Sequence, residues 1–442
     1  MVKENLTVMV VDASARAHAV SEAYERSPNV KKIIVTPGND FIGYKRSKEV
    51  IVEKGKLTDP QSFLDAAQKH KPDLVDVCQD DALAVGTVDL LKANGFNVFG
   101  PTKAASRLEW DKVWSRDFMH NQGIPHPMYR VFSSEEQGIA YVLDRYNCDS
   151  NALLFIKASG LCAGKGAIPA LCVEEAVSAI KSMKSFGDAG KSYLIEEGMY
   201  GEEASIYVLS DGLHFHILKP AQDNKRLLNN DEGPNTGGMG AVAPAGVITP
   251  DVMELARVDI VIPAIKGMHE LDAPYTGVLY VGAMVTKLGG MPKVVEFNSR
   301  WGAPEAEVVV PGIQTPMDEI AYACINRNLH NTRIAEDSVT RVCVVGASRG
   351  YPGDVSGVKG KQIFGLDEVM RLSGIKVYGA GIAVRDNKFY ANGGRLFSIV
   401  AEGASVRDAQ ESALEAMRMV SVEGDNLVYR TDIGRRDIER SL

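Results

Sequence analysis

Short apolar runs alternate with helical patterns over the first hundred residues, and this alternation limits the possible folds more than any other feature of the sequence. The runs LTVMVVD (Leu6 to Asp12), KKIIVT (Lys31 to Thr36) and DLVDVC (Asp73 to Cys78) have the continuous apolar character of buried parallel strands. A helical pattern from Leu83 to Gly95, closed by glycine, follows the third run. Strands and helices in this order predict a doubly wound parallel sheet.

The rest of the chain predicts two further units, because 442 residues are too many for one hydrophobic core. Long helices are expected from Arg107 to about Gln122 and from about Pro250 to His269, with strand patterns and a glycine-rich loop between them. Strand patterns return from about Asn331, ahead of a terminal helix from Val406 to about Met419. We therefore expect an N-terminal domain at 1–108, a central domain at 109–330 with a mobile glycine-loop subdomain at about 126–192, and a C-terminal domain at 331–442.

The composition excludes several classes of partner. A net charge of −8 argues against nucleic acid or an anionic membrane as the main partner. The six cysteines include no C-x-x-C pair, so we expect neither a disulfide framework nor a zinc site, and we place the protein in the reducing cytoplasm. No apolar run has the length of a signal peptide or a membrane span. Small molecules are therefore the expected partners.

Two segments of the predicted central domain have features of a nucleotide site. KASGLCAGKG begins at Lys157, and its backbone N–H groups and lysines can bind polyphosphate oxygens, although a plain glycine-rich hairpin fits about equally well. IEEGMYGEEAS places Glu196 seven residues before Glu203, behind an apolar strand. Backbone groups after such a strand can meet an adenine edge, and an acid can accept the ribose hydroxyls. Two solvated acids on an exposed hairpin are the alternative.

A third segment, VVEFNSR, has the oxygen ligands of a metal site. Glu296 and Asn298 alternate onto one face of a predicted strand, and Arg300 extends the row. Two oxygen ligands at this spacing suit Mg²⁺, which takes few protein ligands beside phosphate oxygens and water. The exposed face of an edge strand is the alternative, but a row of Glu, Asn and Arg is unusually specific for simple solvation.

The stretch NNDEGPNTGGMGAVAPA, from Asn229 to Ala245, has the composition of a surface linker. It nevertheless lies in the middle of the chain, between an apolar run and a long helical pattern. From its own residues it is either a linker or a loop that contacts a substrate.

These features occur in the order and at the spacing of an ATP-grasp ligase, and the whole chain resembles the phosphoribosylamine–glycine ligase family of that superfamily. The resemblance is carried by FGPTKAASRLE, KASGLCAGKG, GEEAS, QDNKR, GPNTGGMGA, YRTDIG and NGGR. GPNTGGMGA is close to diagnostic, so the resemblance implies that this loop lines the active site. The implied fold is α/β: an ATP-grasp fold with an N-terminal doubly wound, Rossmann-like domain and a C-terminal α+β domain.

The resemblance also implies a reaction and its site residues. ATP would phosphorylate glycine, and phosphoribosylamine would attack the glycyl phosphate in a step of purine biosynthesis. The implied cofactors are ATP and Mg²⁺, with Mn²⁺ as the alternative metal, and a monomer or weak homodimer is expected. The implied metal ligands are Glu296 and Asn298, and the implied catalytic residues are Arg300, Lys225 and Asn235. The implied ATP contacts are Lys112, Lys157, Gly160, Gly164, Lys165, Gly166, Glu196, Glu197 and Glu203. The implied substrate contacts are Arg16, His18, Asn39, Asp223, Thr236, Gly237, Gly238, Met239, Gly240 and Gly302.

The sequence departs from the family pattern where the other substrates are expected to bind. The family's turn after the first strand, roughly G-S-G-G-R-E-H-A, is DASARAHA here. Asp12 and Ala15 stand where the family pattern has glycine, and Ala17 stands where it has glutamate. G-P-E-x-P-L becomes CQDDAL with Gln79, and R-F-G-D-P-E becomes RWGAPE with Ala303. A carboxylate about 4 Å from a substrate phosphate costs on the order of 4 kcal/mol at an effective dielectric constant of about 20.

Two alternatives therefore stay open beside the family reaction. One is a related ligase that joins a different acid and amine through the same acyl-phosphate mechanism. The other, from another class, is a non-catalytic nucleotide-binding protein, which retention of Lys157, Glu296, Asn298 and Arg300 disfavours. A dinucleotide oxidoreductase does not fit, since no G-x-G-x-x-G follows the first strand.

Overall fold

The N-terminal part of the chain forms a five-stranded parallel sheet with helices packed on it. The computed structural model describes residues 4–162, 164–286 and 290–442. The elements of this part are β1 (Leu6–Asp12), α1 (Ala15–Arg26), β2 (Val30–Pro37), β3 (Glu49–Val52), α2 (Pro60–His70), β4 (Leu74–Val77), α3 (Asp80–Ala84), α4 (Thr87–Ala93) and β5 (Val98–Phe99). The strand order is β3-β2-β1-β4-β5, and every pairing is parallel. The predicted doubly wound sheet is confirmed.

Two predicted helices are each divided into two. The helix predicted from Leu83 to Gly95 is wrong as one element, because Gly86 adopts a left-handed conformation (φ +86°) between α3 and α4. The helix predicted from Arg107 is also interrupted: α5 (Arg107–Trp110) and α6 (Lys112–Asn121) meet at Asp111, whose backbone is extended. The Asp111 carboxylate accepts a hydrogen bond from the Trp114 N–H and so caps α6. This break places Lys112 at the first residue of a helix.

The central part contains two antiparallel four-stranded sheets. Its further elements are β6 (Tyr129–Phe132), α7 (Glu135–Cys148), β7 (Leu154–Ala158), β8 (Ala167–Ala170), α8 (Val173–Ser182), β9 (Tyr193–Glu197), β10 (Gly201–Asp211), β11 (Phe215–Ile217), β12 (Gln222–Asp223), β13 (Arg226–Leu228), β14 (Glu232–Asn235), β15 (Gly240–Ala243), α9 (Pro250–Ala256), α10 (Ile262–Glu270), β16 (Thr276–Thr286), β17 (Pro292–Asn298), α11 (Ala306–Val309) and α12 (Met317–Ile325). The sheets have the orders β6-β9-β7-β8 and β11-β10-β16-β17. A π-helical segment, Arg257–Val261, joins α9 to α10, so the helix predicted from about Pro250 is confirmed in extent.

The C-terminal part mixes sheets with helices. Its elements are β18 (Thr340–Ser348), β19 (Gln362–Phe364), α13 (Leu366–Val369), β20 (Ile375–Gly379), β21 (Ile382–Arg385), β22 (Lys388–Ala391), β23 (Arg395–Gly403), α14 (Val406–Arg418), β24 (Ser421–Val422), β25 (Leu427–Val428) and α15 (Arg435–Arg440). One sheet has the order β12-β15-β18-β23-β20, with β25 beside β18, and a second has the order β21-β22-β19-β24. The terminal helix predicted from Val406 is confirmed as α14.

Strands from the central sequence enter the C-terminal sheet. β15 pairs antiparallel with β18, and β12 pairs with β15, so this sheet spans the boundary predicted at 330/331. The domain boundaries therefore stay predictions. The stretch Asn229 to Ala245 is no simple linker, because β13 and β14 form a ribbon and β15 belongs to the sheet. Between β14 and β15 lies a tight loop, Asn235 to Gly240, which we call the substrate loop after its predicted role.

Candidate active site

A narrow cleft lies where α5 and α6 face strands of both antiparallel sheets. The interrupted helices supply Glu109 and Lys112, β7 and β9 supply Lys157 and Glu196, and β17 supplies Glu296. Sequence patterns pointed to Lys157, Glu196 and Glu296 as ATP or metal contacts, the family resemblance added Lys112, and the fold brings the four together. Leu108, Ser115, Arg116, Met119, Val295 and Phe297 complete the lining.

Glu196 is at the centre of a buried ion cluster in this cleft. Its carboxylate is 2.6 Å from Lys157 Nζ, and Arg116 donates to both of its oxygens at 2.7 and 3.1 Å. Burial disfavours the charged form, but Arg116 and Lys157 outweigh burial and lower the pKa of Glu196 to about 2. Two cations on one carboxylate leave a net positive charge, which suits an anionic ligand.

Glu296 lies among the cations of the site. Its pKa is lowered to about 2, because Lys112, Lys225, Lys157 and Arg300 together outweigh the effect of burial. Lys157, Lys225 and Arg300 are also paired with Glu196, Glu203 and Glu109, so Lys112 is the one of the four without an ion pair among the described residues. A lysine that is free to pair with an anion suits a polyphosphate ligand.

Arg300 follows the last residue of β17 and folds back onto it. Its Nη2 donates to Asn298 Oδ1 at 3.1 Å and lies 2.9 Å from a Glu109 oxygen. Burial raises the pKa of Glu109 to about 6, although Arg300 acts in the opposite direction. Within the described chain, Arg300 Nε and Asn298 Nδ2 are buried without a hydrogen-bond partner. Buried donors are normally paired, so both are open to a ligand.

Next to Glu296 lies a second group of charged side chains, formed by Lys225, Glu203 and Asp223. Lys225 forms a short ion pair with Glu203, and Glu203, Glu296 and Asp223 together raise the pKa of Lys225 despite its burial. Burial, followed by the charge of Glu305, raises the pKa of Asp223 well above its ordinary range. Asp223 Oδ1 is buried and has no partner within the described chain.

The substrate loop packs against Asp223. The φ of Gly238 is +108°, and a Cβ there would lie 2.7 Å from Asp223 Oδ1 and 2.3 Å from Pro304 Cδ, so only glycine fits. The Gly238 N–H donates to Thr236 Oγ1 at 3.0 Å. Met239 is fully buried. Among the other predicted loop contacts, Gly240 lies at the start of β15 and Asn235 is exposed at the end of β14.

The remaining predicted ATP contacts lie around β7 and β9. The Gly160 N–H donates to the Ala189 carbonyl at 3.0 Å, and Gly166 O accepts from the Ala158 N–H at 2.8 Å. Gly164 and Lys165 are exposed, and Ala163 of the same loop lies outside the described residues. Glu197 is directed away from the cleft, to Arg145 of α7 at 2.8 Å. The roles assigned to these residues stay predictions.

Arg16 is engaged with the protein itself. The turn that follows β1, Asp12 to Ser14, is called the β1 turn below. Arg16 donates to Asp12 Oδ2 and Gln79 Oε1 through short hydrogen bonds, and to the Trp301 carbonyl at 2.8 Å. The other Asp12 oxygen accepts the N–H of Ser14 at 2.8 Å. Asp12 is fully buried and Arg16 balances its charge, while Ser14 Oγ of the same turn is buried without a hydrogen-bond partner among the described residues.

His18 and Asn39, the other predicted contacts in this region, also have internal partners. Nδ1 of His18 accepts from the Gly379 N–H at 3.1 Å, and its ring packs edge-on against Phe41 and Tyr378. Burial, with Arg46 and Lys376 nearby, lowers the pKa of His18 well below its ordinary value, so the ring is neutral. Asn39 donates to the carbonyls of Ala13 and Gly379. Gly302, the remaining predicted substrate contact, lies near the substrate loop and donates its N–H to the Tyr207 hydroxyl.

Sequence analysis missed several residues of the site. Glu109 and Arg116 lie about 80 to 190 residues from the groups they contact, so no local spacing reveals them. Arg395 and Tyr351 of the C-terminal part contact the substrate loop. The motif NGGR, which ends at Arg395, was a signal for one of them, although no role was assigned to it.

A separate group of possible metal ligands, Asp211, His214 and His330, lies at the β10–β11 turn. The Asp211 oxygens already accept the N–H groups of Leu213, His214 and Leu329, and Nδ1 of His214 is 3.2 Å away. These hydrogen bonds explain the cluster as the closure of the turn.

Comparison with known proteins agrees with this geometry. Models of the phosphoribosylglycinamide synthetase N domain, ATP-grasp (A) domain and C domain match residues 6–109, 110–306 and 341–436. The phosphoribosylamine–glycine ligase of Escherichia coli is 38% identical over 98% of this chain and 99% of its own length. The trifunctional purine biosynthetic protein adenosine-3 of Bos taurus is also 38% identical, but the chain spans only 42% of its length.

A solved structure shows the same architecture. The crystal structure of the phosphoribosylamine–glycine ligase from Thermotoga maritima matches with a TM-score of 0.78 and 27% identity, over 97% of this chain and all of that one. In the part of the chain that the structure describes, no helix has the length and apolarity needed to cross a membrane. With three domain models that cover most of the sequence and full-length relatives at this identity, the chain belongs to the phosphoribosylamine–glycine ligase family of ATP-grasp enzymes.

Proposed function

We propose that this chain is an ATP-dependent carboxylate–amine ligase that joins glycine to phosphoribosylamine, with glycinamide ribonucleotide, ADP and phosphate as products. The observation that carries the proposal is the group of four cations, Lys112, Lys157, Lys225 and Arg300, around Glu296. ATP supplies the γ-phosphoryl group that turns a carboxylate into an acyl phosphate, which an amine can attack. Two anions must approach each other in that step, and clustered cations stabilise the charge.

The unpaired polar atoms suggest how the carboxylate substrate is held. Arg300 Nε and Asn298 Nδ2 are buried donors without a partner among the described residues, and Glu109 fixes the other side of the guanidinium. A carboxylate that accepts from Arg300 Nε would satisfy one of them. The buried, unpaired Asp223 Oδ1 is an acceptor for an amino group on the same substrate.

The donor set on β17 fits a divalent metal. Glu296 is ionised, and Asn298 adds an amide oxygen two residues on, a hard pair that leaves most positions to phosphate oxygens and water. Glu296 and Asn298 would hold Mg²⁺, or Mn²⁺ in its place, which would neutralise charge on the transferred phosphoryl group. The six cysteines are free thiols, which suits the reducing cytoplasm that we propose for the reaction.

A second ligase reaction is favoured by one observation. The Asp12 carboxylate occupies the N–H groups of the β1 turn at the start of α1, where a doubly wound domain often binds phosphate. An amine without a phosphate would be compatible with that arrangement. The chain would then join a different acid and amine through the same acyl phosphate.

One assay separates these candidates. Purified protein is incubated with Mg-ATP, glycine and phosphoribosylamine generated in situ, and ADP and glycinamide ribonucleotide are measured. We expect equal amounts of both products, with none when either substrate is omitted. A parallel screen of other amino acids and amines tests the second candidate. ADP release that requires a different pair, with no glycinamide ribonucleotide, would contradict the first candidate.

A further inference from the structure

Arg395, the first residue of β23, extends from the C-terminal part of the molecule to the candidate active site. Its Nη1 donates to the Gly237 carbonyl through a short hydrogen bond, to the Ala303 carbonyl at 2.8 Å, and weakly to the Gly238 carbonyl at 3.5 Å. One guanidinium therefore joins the substrate loop to the segment that follows Arg300. Both segments contain residues predicted to contact substrates.

Tyr351 holds the same residue, Gly237, through the preceding peptide. Its hydroxyl accepts the Gly237 N–H at 2.9 Å, so both polar groups of this residue are fixed by the C-terminal part. The packing is close: a Cβ on Gly237 would lie 3.1 Å from Arg395 Cζ and 3.2 Å from Tyr351 Oη. A Cβ on Gly394 would lie 2.5 Å from the Tyr351 ring. The contact thus depends on glycine in both segments.

The loop's other hydrogen bonds at this point are those of the Gly238 N–H to Thr236 Oγ1 and of Thr236 to the Lys225 carbonyl. Its next residue, Gly238, has the left-handed φ of +108° and lies against Asp223 and Pro304. Glycine peptides have many accessible conformations, so external hydrogen bonds must select one of them. The orientation of the Gly237–Gly238 peptide determines how closely the loop approaches Asp223.

Charge also connects Arg395 to the site. Burial raises the pKa of Asp223, and Arg395 is one of the cations that oppose this shift. Burial likewise raises the pKa of Glu307 to about 8, and Arg395 is the first of the groups that lower it. The guanidinium is therefore close enough to both acids to stabilise their charged forms.

We infer that Arg395 is a positioning residue of the ligase: with Tyr351, it holds the substrate loop in the conformation in which the amine captures the activated carboxylate. The inference rests on the proposed ligase activity. It assigns Arg395 no contact with ATP. Loss of Arg395 is therefore expected to slow product formation and to increase the ADP released per product, since a displaced amine leaves the acyl phosphate to water.

The test compares Arg395→Ala, Tyr351→Phe and the control Arg385→Ala in the full chain. Arg385 is an exposed arginine of the same part of the molecule, at the end of β21. We expect kcat to fall about 100-fold in Arg395→Ala and about fivefold in Tyr351→Phe, with the KM for ATP within about twofold of wild type. The ratio of ADP to glycinamide ribonucleotide should rise above one in both. Added guanidinium should restore part of the Arg395→Ala activity and leave Arg385→Ala unchanged.

Each outcome decides a specific claim. Arg395→Ala with wild-type kcat and an unchanged product ratio would overturn the inference, and so would a loss of ATP affinity equal to the loss of kcat. If Arg395→Ala does not fold in a melting experiment, Tyr351→Phe carries the test, because it removes only a hydroxyl; an unchanged product ratio there would overturn the inference. Wild-type protein that makes no glycinamide ribonucleotide would contradict the proposed function instead.

Discussion

The cleft around Glu296 and the β1 turn both bury charged side chains, but they balance the charge differently. In the cleft, four cations lie around Glu296, one of them, Lys157, also contacts Glu196 together with Arg116, and buried donors of Arg300 and Asn298 have no partner among the described residues. In the β1 turn, the Asp12 carboxylate accepts backbone N–H groups and pairs with Arg16, which also binds Gln79. The cleft therefore has buried donors without partners, whereas the turn balances the charge of Asp12 internally and leaves one buried atom, Ser14 Oγ, without a partner among the described residues.

The cleft therefore has the character of a site that needs a ligand. In the β1 turn, the Asp12 carboxylate takes the place that a ligand anion would have. A lysine without an ion pair and buried donors without partners are unfavourable in the free protein and become favourable when an anion binds. An internal carboxylate at a helix N-terminus gives its stabilisation to the free protein, and a competing anion must displace it. We therefore expect the nucleotide side of the enzyme to follow the family, and we expect the β1 turn to determine which amine it accepts.

The largest expected effect is on the cleft. We expect Lys157→Ala to reduce ADP formation at least 1000-fold, because the variant removes a buried cation and leaves Glu196 with one partner fewer. ADP release with saturating substrates is the measurement. Lys191→Ala, which removes an exposed lysine paired with Asp188, is the matched control and should keep full activity. Unchanged turnover in Lys157→Ala would contradict the assignment of the cleft to ATP.

Glu296→Gln should have the next largest effect. The substitution keeps the shape and removes the charge that four cations surround, so we expect kcat to fall about 100-fold or more and to recover little with excess Mg²⁺. Calorimetry of Mg-ATP binding provides a readout independent of turnover. Glu254→Gln alters an exposed pair with Arg257 and is the control. Equal Mg-ATP affinity and equal turnover in Glu296→Gln would mean that β17 has only a structural role.

Protonation of Glu109 is expected to have a smaller effect, on stability. Burial raises its pKa from 4.5 to about 6, so the folded state binds this proton more tightly than the unfolded state does. The resulting stabilisation is complete below pH 4.5 and is lost as the pH rises through 6, by about 2 kcal/mol in total. Glu109→Gln removes this titrating group, so its free energy of unfolding should lack this change with pH. Any other effect of the substitution on the free energy of unfolding should be the same at every pH. Urea unfolding of both proteins from pH 4 to 8 measures the difference, and parallel curves would contradict the prediction.

How much of this could be predicted from the sequence depends on the range of the contacts. The strands β1, β2, β4 and β17 were predicted because apolar runs and alternation are local patterns. The helix breaks at Gly86 and Asp111 were missed, since a single residue within a helical pattern does not show which conformation tertiary packing selects.

The same limit applies to the site. Lys157, Glu296 and Asn298 were found from spacing within single segments. Glu109 and Arg116 became visible only when the fold placed them against residues far away in the chain, and the closure of the Asp12–Arg16 pair needed coordinates as well.

The smallest expected effect, and the one that most directly tests the comparison, is that of Asp12→Gly. The variant removes the carboxylate from the N–H groups of the β1 turn and frees Arg16 from its ion pair. If the amine substrate carries a phosphate to this turn, we expect its KM to fall about tenfold, equivalent to about 1.4 kcal/mol, with little change in kcat. The expected gain is smaller than the bare repulsion between a carboxylate and a phosphate, because Arg16 already neutralises Asp12.

Asp12→Asn is the control, since it removes the charge but keeps an oxygen against the turn, and it should give only part of the gain. Initial rates with phosphoribosylamine as the varied substrate measure both variants. A higher KM, or loss of activity in Asp12→Gly together with retention in Asp12→Asn, would show that the wild-type turn serves the amine directly, and the ligase would then belong with the second candidate reaction.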